Sequence, residues 1–226
     1  MDIVEAIRTR RSARGFKRTP VPRGVITEIL RAASHSPSTM NTQPWGITVV
    51  AGQVLEDIKR GNIDALNSGV APQGEVPLRP YEGAYRQRQV DLAIEIFRLM
   101  GIAREDKEKR TSWMHRGYRF FDAPAGLILT IDKSLDDSPL SLLDMGAIMQ
   151  TICLAALDHG LATCIEDQAV MFPQVIRRVT GMSASKRIVI GIAIGYPDAD
   201  FPANRLETKR EPVEAIVDWC GFDERQ

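Results

Sequence analysis

Residues 141–159 constrain the fold most. Leu142, Met145, Ile148, Met149, Ile152, Cys153 and Ala156 run nearly continuously around a helix, and a helix apolar on more than one face is buried on more than one side. Gly160 supplies its C-cap. Such a helix is either the centre of a large core or part of a subunit interface. Residues 125–131 (Ala-Gly-Leu-Ile-Leu-Thr-Ile) and 187–195 (Arg-Ile-Val-Ile-Gly-Ile-Ala-Ile-Gly) read as strands, the second buried on both faces. A third, short strand covers 47–51.

The remaining periodic segments are helical. Ile3, Ala6 and Ile7 share one face of an N-terminal helix; Val25, Ile26, Ile29, Leu30 and Ala33 share one face of a second. Residues 52–59 predict a short helix with Val54, Leu55 and Ile58 inward. Residues 61–81 carry Gly61, Gly69, Gly74, Pro72, Pro77 and Pro80 and predict a loop. A helix follows from Glu82 to a stop at Gly101, then a charged helix over 104–114, and a short one over 172–180 begun by Pro173. From Pro197 the chain reads as an extended arm ending in a β-like run at 213–217. Strands are few and helices many, so the fold class is α+β, three layers, in one domain over residues 1–226. No internal repeat or linker interrupts it. Residues 70–122 read as a helical excursion over the core, rich in Arg and aromatics: Tyr81, Tyr85, Arg86, Arg88, Trp113, Tyr118, Phe120 and Phe121.

Composition excludes several classes. Lys+Arg and Asp+Glu balance at 29 each, so bulk charge implies neither a nucleic-acid nor a membrane partner. Met1-Asp2-Ile3-Val4-Glu5 has no basic n-region of a secretory signal. Cys153, Cys164 and Cys220 are odd in number and scattered, which fits a reducing cytosol and no disulfide framework. They lack metal-ligand spacing, and His35, His115 and His159 do not complete a zinc set. Asp136-Asp137 reads as acid at a helix start. No nucleophile elbow, Cys–His pair or Gly-rich phosphate loop occurs. Absence of acid, base and nucleophile suits an enzyme whose cofactor carries the chemistry.

Two stretches suggest that cofactor. Arg10-Arg11-Ser12-Ala13-Arg14 puts three forked, permanently charged donors and a hydroxyl in five residues, a set suited to phosphate. Ser36-Pro37-Ser38-Thr39-Met40-Asn41-Thr42-Gln43-Pro44-Trp45 lies between a helix and a strand, with neutral hydroxyls and amides that suit a polar heteroaromatic ring. Taken alone, the first is a solvated basic turn and the second a plain turn. Taken together with Thr163-Cys164-Ile165-Glu166-Asp167 and Lys209-Arg210-Glu211-Pro212, in this order, they resemble the nitroreductase family of flavoproteins over nearly the whole chain.

The resemblance implies a three-layer α/β/α nitroreductase-like fold with a central mixed, mainly antiparallel sheet, in a domain-swapped homodimer. It implies FMN as cofactor and NAD(P)H as electron donor. Arg10, Arg11, Ser12, Lys209 and Arg210 match positions at the phosphate. Arg14 matches the basic residue at the flavin N1/O2 edge, and Cys164, Ile165 and Glu166 match backbone contacts at N5 and O4. Family members often have Pro where this chain has Cys164; the thiol reads as inert or packing. Pro37, Ser38, Thr39, Asn41 and Gln43 match the loop that serves the ribityl chain and pyrimidine of the other subunit's flavin. The excursion shapes the substrate pocket in the family, which singles out Met40, Tyr85, Arg88 and Phe121 for substrate. The implied activity is two-electron reduction of nitroaromatics, nitro to nitroso to hydroxylamine, in the cytoplasm. A related flavoenzyme (reductive dehalogenase, quinone or flavin reductase) and a non-catalytic FMN-binding protein are the alternatives.

Overall fold

The computed structural model describes residues 2–136 and 138–222; Asp137 lies outside the described residues. Four strands form one sheet: β1 (Trp45–Ala51), β2 (Ala125–Asp132), β3 (Ala162–Glu166) and β4 (Lys186–Gly195). Their order is β1-β2-β4-β3, and every neighbouring pair is antiparallel. The parallel element among the described residues is a single bridge, Ser12 to Thr163, on the outer edge of β3.

Helices cover both faces, and the strands' alternation builds two cores. Leu127, Leu129, Ile131, Ile192 and Ile194 meet α2 (Arg23–Ala33) and α6 (Pro139–Asp158) through Ile26, Ile29, Met145, Ile148 and Ile152. Ile128, Ile188 and Ala193 point to the opposite side. There they pack with Leu55 and Ile58 of α3 (Gly52–Asn67), Ile96 of α4 (Gly83–Leu99), Trp113 of α5 (Lys107–Tyr118), Ile176 of α7 (Pro173–Thr180) and Phe120. This is the α/β/α sandwich, with β2 and β4 between two hydrophobic layers.

α6 is buried along one side only. Leu140 and Leu143 are exposed and Met149 is half-buried. By length and composition it is apolar enough to cross a membrane, but its buried face lies on α2 and the sheet. α1 (Ile3–Thr9), capped by the Asp2 carboxylate, likewise buries Ala6 and exposes Ile3 and Ile7.

Several segments depart from the sequence reading, which had no strand where β3 pairs with β4. α3 runs eight residues beyond 59, through Gly61, with Val54 exposed. Gly61 is there for contact: a Cβ would sit 2.6 Å from Val175 of α7. Asn62, one residue on, donates to the carbonyls of Tyr118 and Ala169 and ties the helix end to the core. The charged helix lies at 107–118 because the Asp106 carboxylate caps it, accepting from the Lys109 amide. The β-like run at 213–217 is a 3-10 turn, Val213–Ala215, lying exposed with no strand beside it among the described residues. The loop after α3 is fixed by Glu75, whose carboxylate accepts from Arg177 at 2.7 and 2.9 Å and from the Ile188 amide at 2.6 Å.

Candidate functional site

The basic N-terminal segment leaves α1 and runs along β3. The Ala13 amide donates to the Thr163 carbonyl at 2.9 Å, so Ser12 and Arg14 lie beside the Cys164–Glu166 run and Arg10 and Arg11 precede them. Gly15 follows because a Cβ there would lie 2.1 Å from the Phe201 ring. Asn204 holds this turn. Its Oδ1 accepts from the amides of Arg14 (2.7 Å) and Gly15 (3.1 Å), and its Nδ2 donates to the carbonyls of Gly15 and Asp198, both at 2.8 Å.

Behind the segment, β3 ends in buried ionisable groups. Burial, then the neighbouring Glu166 charge, pushes the Cys164 thiol up to about 12. It is held as a thiol, as its inert reading requires. Glu166 is buried, and neither carboxylate oxygen has a hydrogen-bond partner. Desolvation and the Asp167 charge raise it well above the usual carboxyl value, against the pull of Arg14. Asp122 goes the other way. Burial opposes its ionisation, but hydrogen bonds from Arg119 and the charges of Arg116 and Arg119 outweigh it. The two carboxyls are therefore shifted in opposite directions.

Phe121 closes this corner. Its ring lies 6.0 Å from the Arg14 guanidinium and 6.2 Å from Trp113. Phe120, Phe121 and Asp122 all have positive φ, at 54°, 49° and 60°, a left-handed run that strains residues with a Cβ.

The Ser36–Trp45 loop carries the same kind of strain, with positive φ at Met40, Asn41 and Gln43. Asp144 of α6 anchors it by accepting from the Thr39 amide (3.0 Å) and hydroxyl (3.2 Å). Inside the loop, Ser38 Oγ accepts from the Gln43 amide, and the Gln43 side chain donates to Asn41. Met40 is 94% exposed.

Within one chain, this loop and the arginine segment do not meet. Thr163, Ile194, Ala125 and Ala51 form one row across the sheet, while the loop enters β1 at Trp45, six residues from that row. With ~4.8 Å between strands and ~3.3 Å per residue, Trp45 and Thr163 stand roughly 24 Å apart, at opposite corners.

The C-terminal arm returns to the arginine corner. Arg11 pairs with Glu207 at 3.0 Å, which brings Lys209 and Arg210 near; Arg210 bonds only within the arm, to Thr208 and Lys209. Arg88 of α4 pairs with Glu211 at 2.7 Å and lies over the exposed Tyr85 ring at 5.5 Å. The Arg88 charge is thus engaged by the arm through a half-exposed ion pair. Asp136 is likewise engaged, by Arg187 at 3.2 Å, and does not cap α6.

The sequence reading missed Asn204, Arg116, Asp122 and Asp144. Arg116 and Asp144 each hold backbone across about 100 residues of chain and Asn204 across about 190, while Asp122 pairs with Arg116 and Arg119 inside an Arg- and aromatic-rich stretch. No local motif marks them.

A family model described as the nitroreductase family matches residues 7–196. A nitrobenzene nitroreductase from Ectopseudomonas oleovorans is 33% identical, over 95% of this chain and 95% of that protein. A 4-nitrobenzoate reductase from Pseudomonas putida is 33% identical, over 98% and 97%. The crystal structure of an FMN and NADPH-dependent nitroreductase from Sphigopyxis sp. strain HMH matches with a TM-score of 0.93 at 30% identity, covering 98% of this chain and 100% of that one. The four sequence motifs, the sandwich and these matches agree: the chain belongs to the nitroreductase family.

Proposed function

We propose that this protein is an FMN-dependent oxidoreductase that uses NAD(P)H to reduce nitroaromatic compounds by two-electron steps, nitro to nitroso to hydroxylamine. It works as a cytoplasmic homodimer with shared flavin sites. The observation that carries the reading is the arginine segment pinned to β3 beside the buried Glu166, in a chain whose relatives are named for nitrobenzene and 4-nitrobenzoate reduction.

The residues present fit FMN. Arg10, Arg11 and Ser12, with Lys209 and Arg210 from the arm, form a donor set for a phosphate dianion. Arg14 supplies positive charge at the N1/O2 edge, and the backbone of Cys164, Ile165 and Glu166 supplies hydrogen bonds along the N5/O4 edge. Behind that edge the buried Glu166 carboxyl has no hydrogen-bond partner. Pro37, Ser38, Thr39, Asn41 and Gln43 lie beyond one flavin's reach from Arg14 in the same chain, so in this reading they serve the site of the partner subunit. The exposed Leu140, Leu143, Ile3 and Ile7 supply apolar surface for that contact. FMN held by these residues would supply two-electron redox chemistry between NAD(P)H and the nitro group. Phe121 and Tyr85 of the excursion at 70–122 shape the substrate side, Met40 does so from the loop that serves the partner subunit's site, and Arg88 acts on the excursion while tethering the arm.

Purified protein is expected to release FMN, not FAD, on denaturation, to sediment as a dimer, and to oxidise NAD(P)H when a nitroarene is added. Quinone turnover without nitroarene turnover would select a quinone reductase; a bound flavin that nicotinamides cannot reduce would select a carrier.

Arg14→Gln removes a charge and keeps polarity. A charge-assisted hydrogen bond is worth roughly 1.5–3 kcal/mol, and about 30 mV corresponds to 1.4 kcal/mol in a two-electron couple, so the flavin potential is expected to fall by about 30–60 mV. FMN stays bound through the phosphate set. Arg210→Ala is expected to do the reverse, raising the FMN dissociation constant and leaving the potential of the bound flavin unchanged. Redox titration and equilibrium dialysis of both variants check the pair; an unmoved potential in Arg14→Gln removes Arg14 from the N1/O2 edge.

A further inference from the structure

We propose that Arg116, on α5, is a positioning residue that clamps the cofactor side and the substrate side of the site to each other. The inference rests on the reading above for the roles of Arg14 and Phe121, and on the structure for the clamp. One nitrogen of the guanidinium, Nη2, donates to the carbonyl of Arg14 at 3.0 Å and to the carbonyl of Phe121 at 3.2 Å. The other, Nη1, pairs with the Asp122 carboxylate at 2.9 Å. The guanidinium lies over the Phe201 ring at 4.7 Å. Phe201 stacks on Trp113 at 6.5 Å, and Trp113 meets Phe121 at 6.2 Å. Arg116, Phe201, Trp113 and Phe121 thus close a ring of contacts around one cation.

The clamp has a physical task. Three consecutive left-handed residues, each with a Cβ, are strained, and such strain persists only where the surroundings over-determine it. Within the turn itself, the Asp122 amide donates to the Arg119 carbonyl and the Ala123 amide to the Phe120 carbonyl. Arg116 adds the bond to the Phe121 carbonyl and the charge on Asp122, and so fixes the direction of the Phe121 ring. The same fork holds the Arg14 carbonyl, while Asn204 holds the Arg14 amide. Lysine cannot replace it, because a single ammonium lacks the planar fork that reaches two carbonyls and a carboxylate together. A substrate that presses on Phe121 therefore bears on the group that sets the charge at the flavin edge.

The test begins with apoprotein, so that it stands whether or not the proposed activity holds. In Arg116→Gln, hydrogen exchange is expected to speed at least tenfold at the amides of Asp122 and Ala123 and, together with them, at those of Arg14 and Gly15. Arg116→Lys keeps the charge and is expected to recover thermal stability without recovering this joint protection. In the FMN-loaded enzyme, Arg116→Gln is expected to raise KM for 4-nitrobenzoate about tenfold with kcat within twofold. In a Phe121→Leu background the same substitution is expected to add little, because the effect passes through Phe121. Loss of protection on one side only, or on neither, overturns the clamp; additive KM effects in the double variant overturn its action through Phe121. Absence of nitroarene turnover in the unaltered protein would sink the functional reading and leave the exchange result to decide the clamp.

Discussion

Asn204→Ala is expected to cost the apoprotein about 2–4 kcal/mol and to raise the FMN dissociation constant by at least tenfold. The side chain makes four hydrogen bonds to three residues, two of them on the Arg14–Gly15 turn that carries the site's basic group. Each net bond contributes roughly 0.5–1.5 kcal/mol, and a half-buried amide or carbonyl left unpartnered costs about as much again. The damage is directed: the turn that loses its anchor is the one that carries Arg14, the residue proposed above for the flavin edge. Asn204→Asp keeps the acceptor for the two amides and loses the donor to Gly15 and Asp198, so a smaller effect on FMN is expected than on stability. Urea unfolding of the apoproteins and FMN titration measure the two quantities separately. Equal FMN affinity in Asn204→Ala and the unaltered protein would mean that the turn holds its shape without Asn204.

The second large effect is a pH dependence. Glu166 is held protonated by burial and by Asp167, so its folded value lies well above the ordinary 4.5. Between those two values the folded apoprotein keeps a proton that the unfolded chain has released. The unfolded state then binds fewer protons, and stability falls as pH rises, by up to about 1.4 kcal/mol per pH unit for one proton. The stabilising contribution is complete below pH 4.5 and is lost as pH climbs through the raised value. Glu166→Gln keeps the shape and the neutral form and removes the proton. Its stability relative to the unaltered protein is therefore expected to increase steadily from pH 5 upward. Other titrating groups are common to both proteins and cancel in the difference. Parallel stability profiles from pH 5 to 9 would show that Glu166 ionises in the folded state as it does in the unfolded chain. Cys164 works in the same direction but, pushed up to about 12, outside this range.

Much of the sandwich was legible in the sequence because period and burial coincide. Apolar residues on both sides of strands 125–131 and 187–195 required two covering layers, and β2 and β4 do lie between two cores. Gly160 and Gly101 end helices as read, each with positive φ. Gly61 misled, since in a sequence a glycine that admits a neighbouring helix looks like one that breaks its own. Val213, Ile216 and Val217 misled for the opposite reason: β propensity is realised only against a neighbouring strand, and the described chain brings none to them.

The site divides in the same way. The residue types that suit a phosphate and a flavin edge were determined by the sequence alone, in Arg10, Arg11, Ser12 and Arg14 and in the Ser36–Trp45 loop, because fixed charge and hydrogen-bonding groups are properties of the side chain wherever it lies. Tertiary structure decided what those groups are free to do. It spent Arg88 on Glu211, gave Asp122 two arginines, left Glu166 buried with no partner, and put the loop and the arginine segment at opposite corners of the sheet. These are outcomes of desolvation and of pairing between residues far apart in the chain. Neither is a function of local sequence: the energy of a charge is set by what surrounds it once the chain has closed.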